Sequence, residues 1–417
     1  MTILRTCTAF GAALAVGLSA APATADDSTG RPAIRAGADD RGRLVSAEKV
    51  RELSKKQVNR YLHKAGWDAS HTRHGVDTYR VVYRTVAVDG EPTIASGLVA
   101  LPDSAKRRLR VVSYAHGTTS YRHDVASRFS DDFLTSPGLT YASAGFAAAL
   151  PDYLGLGASP GTHPWMHVPS ETSASVDLLR AARMLARRQG RELKRGAYVT
   201  GFSQGASAAL GTARRLQRAD HRWFRPAATA PISGAYDLAG AEIPAMLQGR
   251  LEPKMSVAYA AYFLVAWNRL HGLYDDPTDV FKRPYAGRVE RVFDGSTPGA
   301  QMLAKLPGDL DRLLTDRGRA LLEHPPRRLR KALRVADSVC KNWRPATPTR
   351  LYAARQDEQA ATANTWSCRK SFRTTGARIP VRLPGRPTYG GSRHLGTNVA
   401  GTAAVTRWFL RLDGARK

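Results

Sequence analysis

The sequence predicts an α/β protein in which a mostly parallel β-sheet is covered by helices, with an antiparallel hairpin before it and an inserted block of helices. Three observations lead to this prediction. Two β-rich runs flank an Asp-Gly pair, short apolar runs then alternate with helical segments, and residues 240–345 look helical throughout. The hydrophobic content of 43% is ample for a core.

The N-terminus has the features of a secretory signal. Arg5 gives a positive start, an apolar run follows, and Ala23-Thr24-Ala25 is a small-x-small cleavage site. The apolar run is too short to span a bilayer, so we expect cleavage near Ala25 and export. Residues 26–45 are polar and rich in Gly, Asp and Arg, which predicts a disordered leader.

The elements that follow are predicted from periodicity. An apolar stripe predicts a helix within residues 46–65, and Asp89-Gly90 predicts a hairpin between strands at 79–88 and 93–101. The later strands are predicted at 110–115, 146–150, 197–200, 227–232, 349–354 and 378–383, and the later helices at 172–188, 206–216 and 398–412.

Residues 240–345 interrupt the alternation of strands and helices. The segment 255–273 is apolar nearly all round, but Asn268, Arg269 and His271 argue against a membrane span. We predict a core of residues 46–239 and 346–417, with 240–345 as a helical cap over the carboxyl edge of the sheet. The alternative is a separate helical domain with no role in binding.

The chain is strongly basic, with a net charge of +28 that becomes +27 once Arg5 is removed. The arginines are spread along the chain and no platform of basic and aromatic residues is visible, so no specific nucleic-acid partner is predicted. The densest run, residues 327–334, is typical of the polar face of a helix. Electrostatic contact with anionic surfaces is the remaining expectation.

Two cysteines, Cys340 and Cys368, remain after signal cleavage. Export favours a disulfide between them, the alternative being two separate thiols. Two cysteines without paired His/Cys spacing argue against a structural zinc site, and no cofactor is predicted.

Gly201-Phe202-Ser203-Gln204-Gly205 lies between a β-like run and a helix of small residues. This layout predicts a tight strand-to-helix turn that exposes Ser203 as a nucleophile, with glycines where a Cβ would clash. Ser159 has the same Gly-x-Ser-x-Gly pattern. However, Pro160 after it has no N–H to give to an oxyanion, so we interpret Ser159 as a loop serine.

A serine nucleophile needs a base and an orienting carboxylate, which follow it in the order acid then histidine when it stands on such a turn. His394 is favoured as the base because it lies in a glycine-rich loop before the last predicted helix. The other histidines after Ser203 are His221, His271 and His324.

Asp357, after the strand predicted at 349–354, is the favoured acid. Asp237 is the alternative, and the neighbouring Glu358 is less favoured. An oxyanion hole also needs two N–H donors. Gln204 supplies one by position, and Thr118 in the loop after residue 115 is expected to supply the other, with Thr119 as the alternative. His116 is expected to shape that loop through hydrogen bonds.

These motifs together resemble the α/β-hydrolase fold over roughly residues 75–412. More narrowly, the chain resembles the exported secretory lipases of bacteria and fungi, the group that includes Candida lipase A. The segments that carry this resemblance are Tyr114-Ala115-His116-Gly117-Thr118, Pro151-Asp152-Tyr153-Leu154-Gly155-Leu156-Gly157, His163-Pro164, residues 177–183 and the turn around Ser203.

The resemblance implies that a carboxylic ester acylates the serine, that water then cleaves the acyl-enzyme, and that a helical cap shapes an acyl tunnel. The chain departs from the group at Phe202, where bacterial relatives often have His. We therefore expect a secreted serine esterase or lipase acting on small-molecule or lipid esters. The alternatives are a secreted peptidase of the same fold and a non-catalytic relative that binds a cell-surface polymer.

Overall fold

The structure of this chain is a computed structural model that describes residues 40–129, 132–218, 223–385 and 387–415. The predicted signal segment, the predicted leader up to residue 39, and His221 lie outside these described residues. Within the described ranges, no helix has the length and apolar character needed to cross a membrane.

The centre of the fold is a nine-stranded sheet. Numbered in chain order, the strands are β1 Leu44–Leu53, β2 Gly75–Val86, β3 Pro92–Asp103, β4 Arg108–Leu109, β5 Val111–Ala115, β6 Ala147–Pro151, β7 Glu192–Leu193, β8 Gly196–Phe202, β9 Arg225–Ile232, β10 Leu351–Tyr352 and β11 Val381–Arg382. The sheet has the order β1-β2-β3-β6-β5-β8-β9-β10-β11, while β4 and β7 pair separately. Pairing is antiparallel from β1 to β6 and parallel from β6 to β11, which confirms the predicted fold class.

Helices cover both faces of the sheet. They are α1 Lys55–Lys64, α2 Asp132–Ser143, α3 Val168–Arg188, α4 Gln204–Gln217, α5 Ile243–Leu247, α6 Pro253–His271, α7 Val289–Val292, α8 Gly299–Lys305, α9 Leu310–Leu313, α10 Asp316–Glu323, α11 Arg327–Ala336, α12 Ala363–Thr374 and α13 Arg393–Gly414. Successive strand residues point to opposite faces. Val111 and Ala147 accordingly pack in the core beneath α3 and α4, whereas Val112 and Ala148 pack in the core beneath α1, α2 and α13.

The prediction of a helix within residues 46–65 is wrong for the first half of this segment. Leu44–Leu53 form strand β1, which pairs with β2, and helix α1 begins only after Ser54. The Ser54 side chain accepts from the backbone N–H of Gln57, and the Gln57 side chain accepts from the backbone N–H of Ser54. This reciprocal cap fixes the helix start at that point in the chain.

The last residues of the predicted leader are fixed to the core. Arg41 forms an ion pair with the buried Asp177 of α3, with Nη2 and Oδ2 2.9 Å apart. The Gly42 N–H donates to the carbonyl of Arg84 in β2. The chain is therefore held on α3 before strand β1 begins.

The inserted helices contact the loops at the carboxyl ends of the strands. The Tyr262 hydroxyl of α6 donates to the carbonyl of Thr119, and Trp267 Nε1 donates to the carbonyl of Trp165 at 3.0 Å. Helix α11 buries Leu329 and Leu333 and exposes its basic side chains to solvent, as the sequence predicts for that run.

Cys340 and Cys368 form a disulfide, with their Cα atoms 5.1 Å apart. Cys340 follows α11 at the end of the inserted helices, and Cys368 lies in α12. The bond therefore joins the insertion to the helix that follows the turn containing Asp357.

Replacing both cysteines by alanine is expected to lower the free energy of unfolding by about 3 kcal/mol, because the unfolded chain regains the freedom of the closed loop. In thermal unfolding this corresponds to a fall in Tm of roughly 4 °C for a chain of this size. A reducing agent should lower the Tm of the unmodified protein and leave that of the double variant unchanged. Equal Tm values for the two proteins would contradict the expectation.

Candidate active site

Ser203 stands on a sharp turn between β8 and α4. Its backbone has φ 55° and ψ −121°, a conformation that residues other than glycine rarely adopt. A Cβ on Gly201 would lie 2.2 Å from the carbonyl oxygen of Gly205, and a Cβ on Gly205 would lie 2.1 Å from that of Ala115. Glycine at both positions is therefore required for the turn that presents the serine hydroxyl.

His394 lies in the first turn of α13 and not in a loop before it. The prediction placed the helix start near residue 398, but the helix begins at Arg393, where the Ser392 side chain caps it by accepting from the Leu395 N–H at 3.1 Å. The imidazole is buried, and the Phe202 ring packs against it with ring centroids 4.6 Å apart.

The side chains of Ser203, His394 and Asp357 form one hydrogen-bonded chain. The Ser203 hydroxyl donates to His394 Nε2 at 2.9 Å, across 191 positions of sequence. The Nδ1–H of His394 donates to Asp357, whose two carboxylate oxygens both lie 2.9 Å from Nδ1. A hydroxyl, an imidazole and a carboxylate in this order can remove the hydroxyl proton and stabilise the imidazolium that forms.

A tight turn after β10 holds Asp357. The N–H groups of Gln359 and Ala360 donate to Asp357 Oδ1 at 3.0 and 2.9 Å. Glu358 binds elsewhere, accepting from the Ser392 hydroxyl and from the backbone N–H of His394. It therefore braces the start of α13, and the described residues place no hydrogen bond between it and the imidazole.

Asp237, the alternative acid, has a different position. It caps the helical turn Leu238–Glu242 by accepting from the Gly240 N–H at 3.1 Å, and it also accepts from the Ser367 hydroxyl. The described residues place no hydrogen bond between Asp237 and His394.

The charged forms of His394 and Asp357 stabilise each other. Burial opposes the imidazolium, but the Asp357 carboxylate outweighs this and raises the pKa of His394 above its ordinary value. Burial by itself would raise the pKa of Asp357, but His394 and the two N–H donors lower it below its ordinary value. The carboxylate therefore stays ionised beside a histidine that gains a proton readily.

Gln204 and Thr118 line a narrow cavity together with Ser203. Gln204 is the first residue of α4, so its backbone N–H has no acceptor within the helix. Thr118 lies in the loop after β5, and its hydroxyl accepts from Trp165 Nε1 at 2.9 Å. His116 is buried in the same loop and its Nδ1–H donates to the Gly117 carbonyl at 2.6 Å, the loop-shaping contact expected from the sequence.

The Gln204 side chain belongs to a buried network that sequence reasoning missed. Its Nε2 lies 2.8 Å from His163 Nε2 and 2.7 Å from Glu171 Oε1, and His163 Nδ1 lies 2.9 Å from the Leu154 carbonyl. Burial raises the pKa of Glu171 to about 8, against the lowering effect of Gln204. These hydrogen bonds hold the side chain of Gln204, the first residue of α4, in place. The His163-Pro164 motif was the available sequence signal.

Two cavities meet at Ser203. The narrow cavity and a wide cleft are both lined by Thr118 and Ser203. Only the wide cleft is also lined by His394. Helix α6 contributes Tyr259 to both walls, so the predicted cap forms part of the space around the serine hydroxyl.

The other predicted candidates lie apart from this chain of hydrogen bonds. His271 ends α6, His324 is an exposed residue at the end of α10, and Ser159 is a buried loop residue whose hydroxyl lies 3.5 Å from the Pro160 carbonyl. Glu242, which the sequence did not single out, lies on the wall of the narrow cavity.

Comparison with known proteins relates the chain to solved structures alone, since no family model and no curated protein matches it. A hydrolase of Legionella pneumophila, described as putative, aligns with a TM-score of 0.79 and 24% identity, covering 89% of this chain and 98% of that one. The rice cell wall degrading esterase LipA of Xanthomonas oryzae aligns with a TM-score of 0.75 and 24% identity, covering 88% and 96%. Lipase A of Candida antarctica aligns with a TM-score of 0.59 and 13% identity, covering 82% and 77%.

These similarities show the fold. The chain has the α/β-hydrolase fold, so the resemblance drawn from its motifs is confirmed at that level. At these identities the activity has to be argued from the site itself.

Proposed function

We propose that this protein is a secreted carboxylic ester hydrolase, with Ser203 as nucleophile, His394 as general base and Asp357 as the orienting acid. The observation that carries the proposal is the hydrogen-bonded chain of these three side chains, with 2.9 Å at each link, beside an apolar cavity. The esterase and lipase named among the structural neighbours support the same reaction class.

In the first half of the reaction, Ser203 Oγ attacks the carbonyl carbon of the ester while its proton passes to His394 Nε2. The negative charge moves to the carbonyl oxygen, where the backbone N–H groups of Gln204 and Thr118 donate to it. The bond between the carbon and the alcohol oxygen then breaks, and His394 gives its proton to that oxygen. The products are an alcohol and an acyl group bound to Ser203.

In the second half, water takes the place of the alcohol. His394 removes a proton from the water, and the hydroxide oxygen attacks the acyl carbon. When the bond from carbon to Ser203 Oγ breaks, His394 returns the proton to Oγ and a carboxylic acid leaves. Each step thus uses side chains and backbone groups of the chain together with one water molecule.

The two cavities divide between the two halves of the substrate. His394 must reach the leaving alcohol oxygen, and it lines only the wide cleft. The alcohol group therefore belongs in the wide cleft, and the acyl group in the narrow cavity. Apolar residues such as Leu238, Ile243 and Phe263 line the narrow cavity and favour an acyl chain over a charged group.

Export is part of the proposal. The N-terminal signal predicted from the sequence and the Cys340–Cys368 disulfide are both compatible with an oxidising compartment. The exposed basic face of α11 supports electrostatic contact with an anionic surface outside the cell.

The proposal is tested by covalent trapping. Diethyl p-nitrophenyl phosphate should phosphorylate Ser203 in a one-to-one ratio and abolish hydrolysis of p-nitrophenyl esters, because the oxyanion donors direct the attack of this serine. Peptide mass spectrometry would locate the adduct. Prior addition of a slowly hydrolysed ester should protect the site. An adduct on another residue, or an unmodified serine in inactivated protein, would exclude Ser203 as the nucleophile.

A further inference from the structure

Glu242 is a buried carboxyl group on the wall of the narrow cavity. It ends the helical turn Leu238–Glu242 at the start of the inserted helices, and the residue is 5% exposed. The cavity that it lines also contains Ser203, so an acyl group bound to the serine would share this space with the carboxyl.

The two oxygens of Glu242 have different surroundings. Oε2 accepts from the Ala361 N–H at 2.9 Å and from Asn364 Nδ2 at 2.5 Å. Within the part of the chain that the structure describes, Oε1 has no hydrogen-bond partner. One oxygen thus supports the chain after Asp357, and the other is a free acceptor.

Two other polar side chains on this wall, Thr118 and Gln359, already have partners. Thr118 Oγ1 accepts from Trp165, and Gln359 Oε1 accepts from the Tyr259 hydroxyl at 2.9 Å. Gln359 Nε2 donates to the Ser392 hydroxyl. Gln204 on the same wall also has an oxygen without a partner among the described residues, Oε1, but that atom is fully buried. The rest of the lining is largely apolar, so Glu242 Oε1 is the acceptor that a ligand can reach among these groups.

A hydrocarbon part of an acyl group placed beside Glu242 would leave Oε1 without water or any other donor, which is unfavourable for a buried acceptor. We propose that the narrow cavity selects acyl groups that carry a hydroxyl group, which donates a hydrogen bond to Glu242 Oε1. This inference rests on the proposed ester hydrolase function and specifies its substrate class.

A hydroxyl group fits this wall better than an ammonium group. Burial raises the pKa of Glu242 to about 7, against the lowering effect of the Ala361 and Asn364 donors, so the carboxylate form, in which Oε1 accepts, predominates above that pH. An ammonium group needs partners for three N–H donors, and the wall offers Glu242 Oε1 as its free acceptor. A hydroxyl group donates only one hydrogen bond.

The first experiment compares p-nitrophenyl octanoate with octanoates that carry one hydroxyl group at successive carbons. At least one hydroxyoctanoate should have a kcat/KM tenfold or more above that of octanoate, the factor expected when a buried acceptor gains its donor. Hydrolysis of octanoate without a gain from any hydroxyl position would overturn this inference alone. A protein that hydrolyses none of the esters would overturn the proposed function, and this inference with it.

The second experiment compares the best hydroxyoctanoate with its methyl ether, which accepts but cannot donate. At about pH 8.5, where the Glu242 carboxyl is ionised and only accepts, the hydroxy ester should be favoured. In Glu242→Gln the amide oxygen can keep the bonds from Ala361 and Asn364, while the amide nitrogen donates into the cavity. The hydroxy-to-ether ratio of kcat/KM should therefore fall at least tenfold.

Met246→Leu is the matched control, because Met246 lies on the same wall without a polar group. Met246→Leu should change kcat/KM for the hydroxy ester and for the methyl ether by the same factor, so that their ratio stays unchanged. An unchanged ratio in Glu242→Gln would contradict the role of Glu242. A preference for an aminooctanoate over the hydroxyoctanoate would contradict the choice of hydroxyl.

Discussion

Ser203→Ala is expected to lower kcat/KM for p-nitrophenyl esters by about 10⁴- to 10⁶-fold, because no acyl-enzyme can form without the hydroxyl. The residual rate would come from the oxyanion donors and substrate binding alone. Alanine keeps Cβ and loses only the hydroxyl, and it tolerates the unusual backbone of this turn about as well as serine. The free energy of unfolding, measured in urea, should therefore stay close to that of the unmodified protein.

Ser159→Ala is the matched control, since it removes a serine from the other Gly-x-Ser-x-Gly segment of this chain. Its hydroxyl makes one long contact within its own loop, so kcat/KM should change by less than about threefold. Hydrolysis that persists in Ser203→Ala and is lost in Ser159→Ala would reverse the assignment of the nucleophile.

The second large effect is expected at Asp357. Asp357→Asn should lower kcat by about 10³- to 10⁴-fold, because an amide neither stabilises the imidazolium nor holds the tautomer that accepts the serine proton. The same replacement at Asp237 should leave kcat within about threefold and reduce stability only, since Asp237 caps a helical turn. Steady-state kinetics with one ester on both variants gives the comparison.

A larger fall in kcat for Asp237→Asn than for Asp357→Asn would identify Asp237 as the acid. Thermal unfolding of both variants separates loss of the carboxylate from loss of the fold, because a misfolded Asp357→Asn would show a lowered Tm together with its lowered kcat. An Asp357→Asn variant with full turnover and an unchanged Tm would remove Asp357 from the mechanism.

The residues brought together at the site could be predicted because order along the chain determines their position. Parallel strands place their carboxyl ends at one edge of the sheet, so a serine after one strand and an acid after another meet there. Asp357 could be preferred to Asp237 because it follows a later strand. The start of α13 was missed, although Ser392 is a recognisable cap residue before His394.

Several elements lacked a local signal. Helix α2 contains Pro137 and Gly138, which ordinarily argue against a helix, and it forms because its residues are buried against the sheet. Strand β1 lies at the sheet edge with most of its side chains exposed, so it has no alternating apolar pattern. Tertiary contacts determine both elements, and a window of sequence does not contain them.

Glu242 could not be predicted as a site residue from local sequence either. Its burial and its hydrogen bonds depend on Ala361 and Asn364, more than a hundred positions later in the chain. A single glutamate in a helical segment is ordinarily solvated, so nothing in the local sequence distinguishes it. Its position beside the serine becomes visible only in three dimensions.

The inserted helices have a consequence for how this protein could diversify. Ser203, His394 and Asp357 all lie outside residues 240–345, whereas Glu242 and much of the wall around the serine lie within them. With the roles proposed above, reactivity and selectivity would be encoded in separable stretches of sequence. Exchange of one contiguous segment between homologues could retune which molecules are admitted while the bond-breaking apparatus is inherited intact.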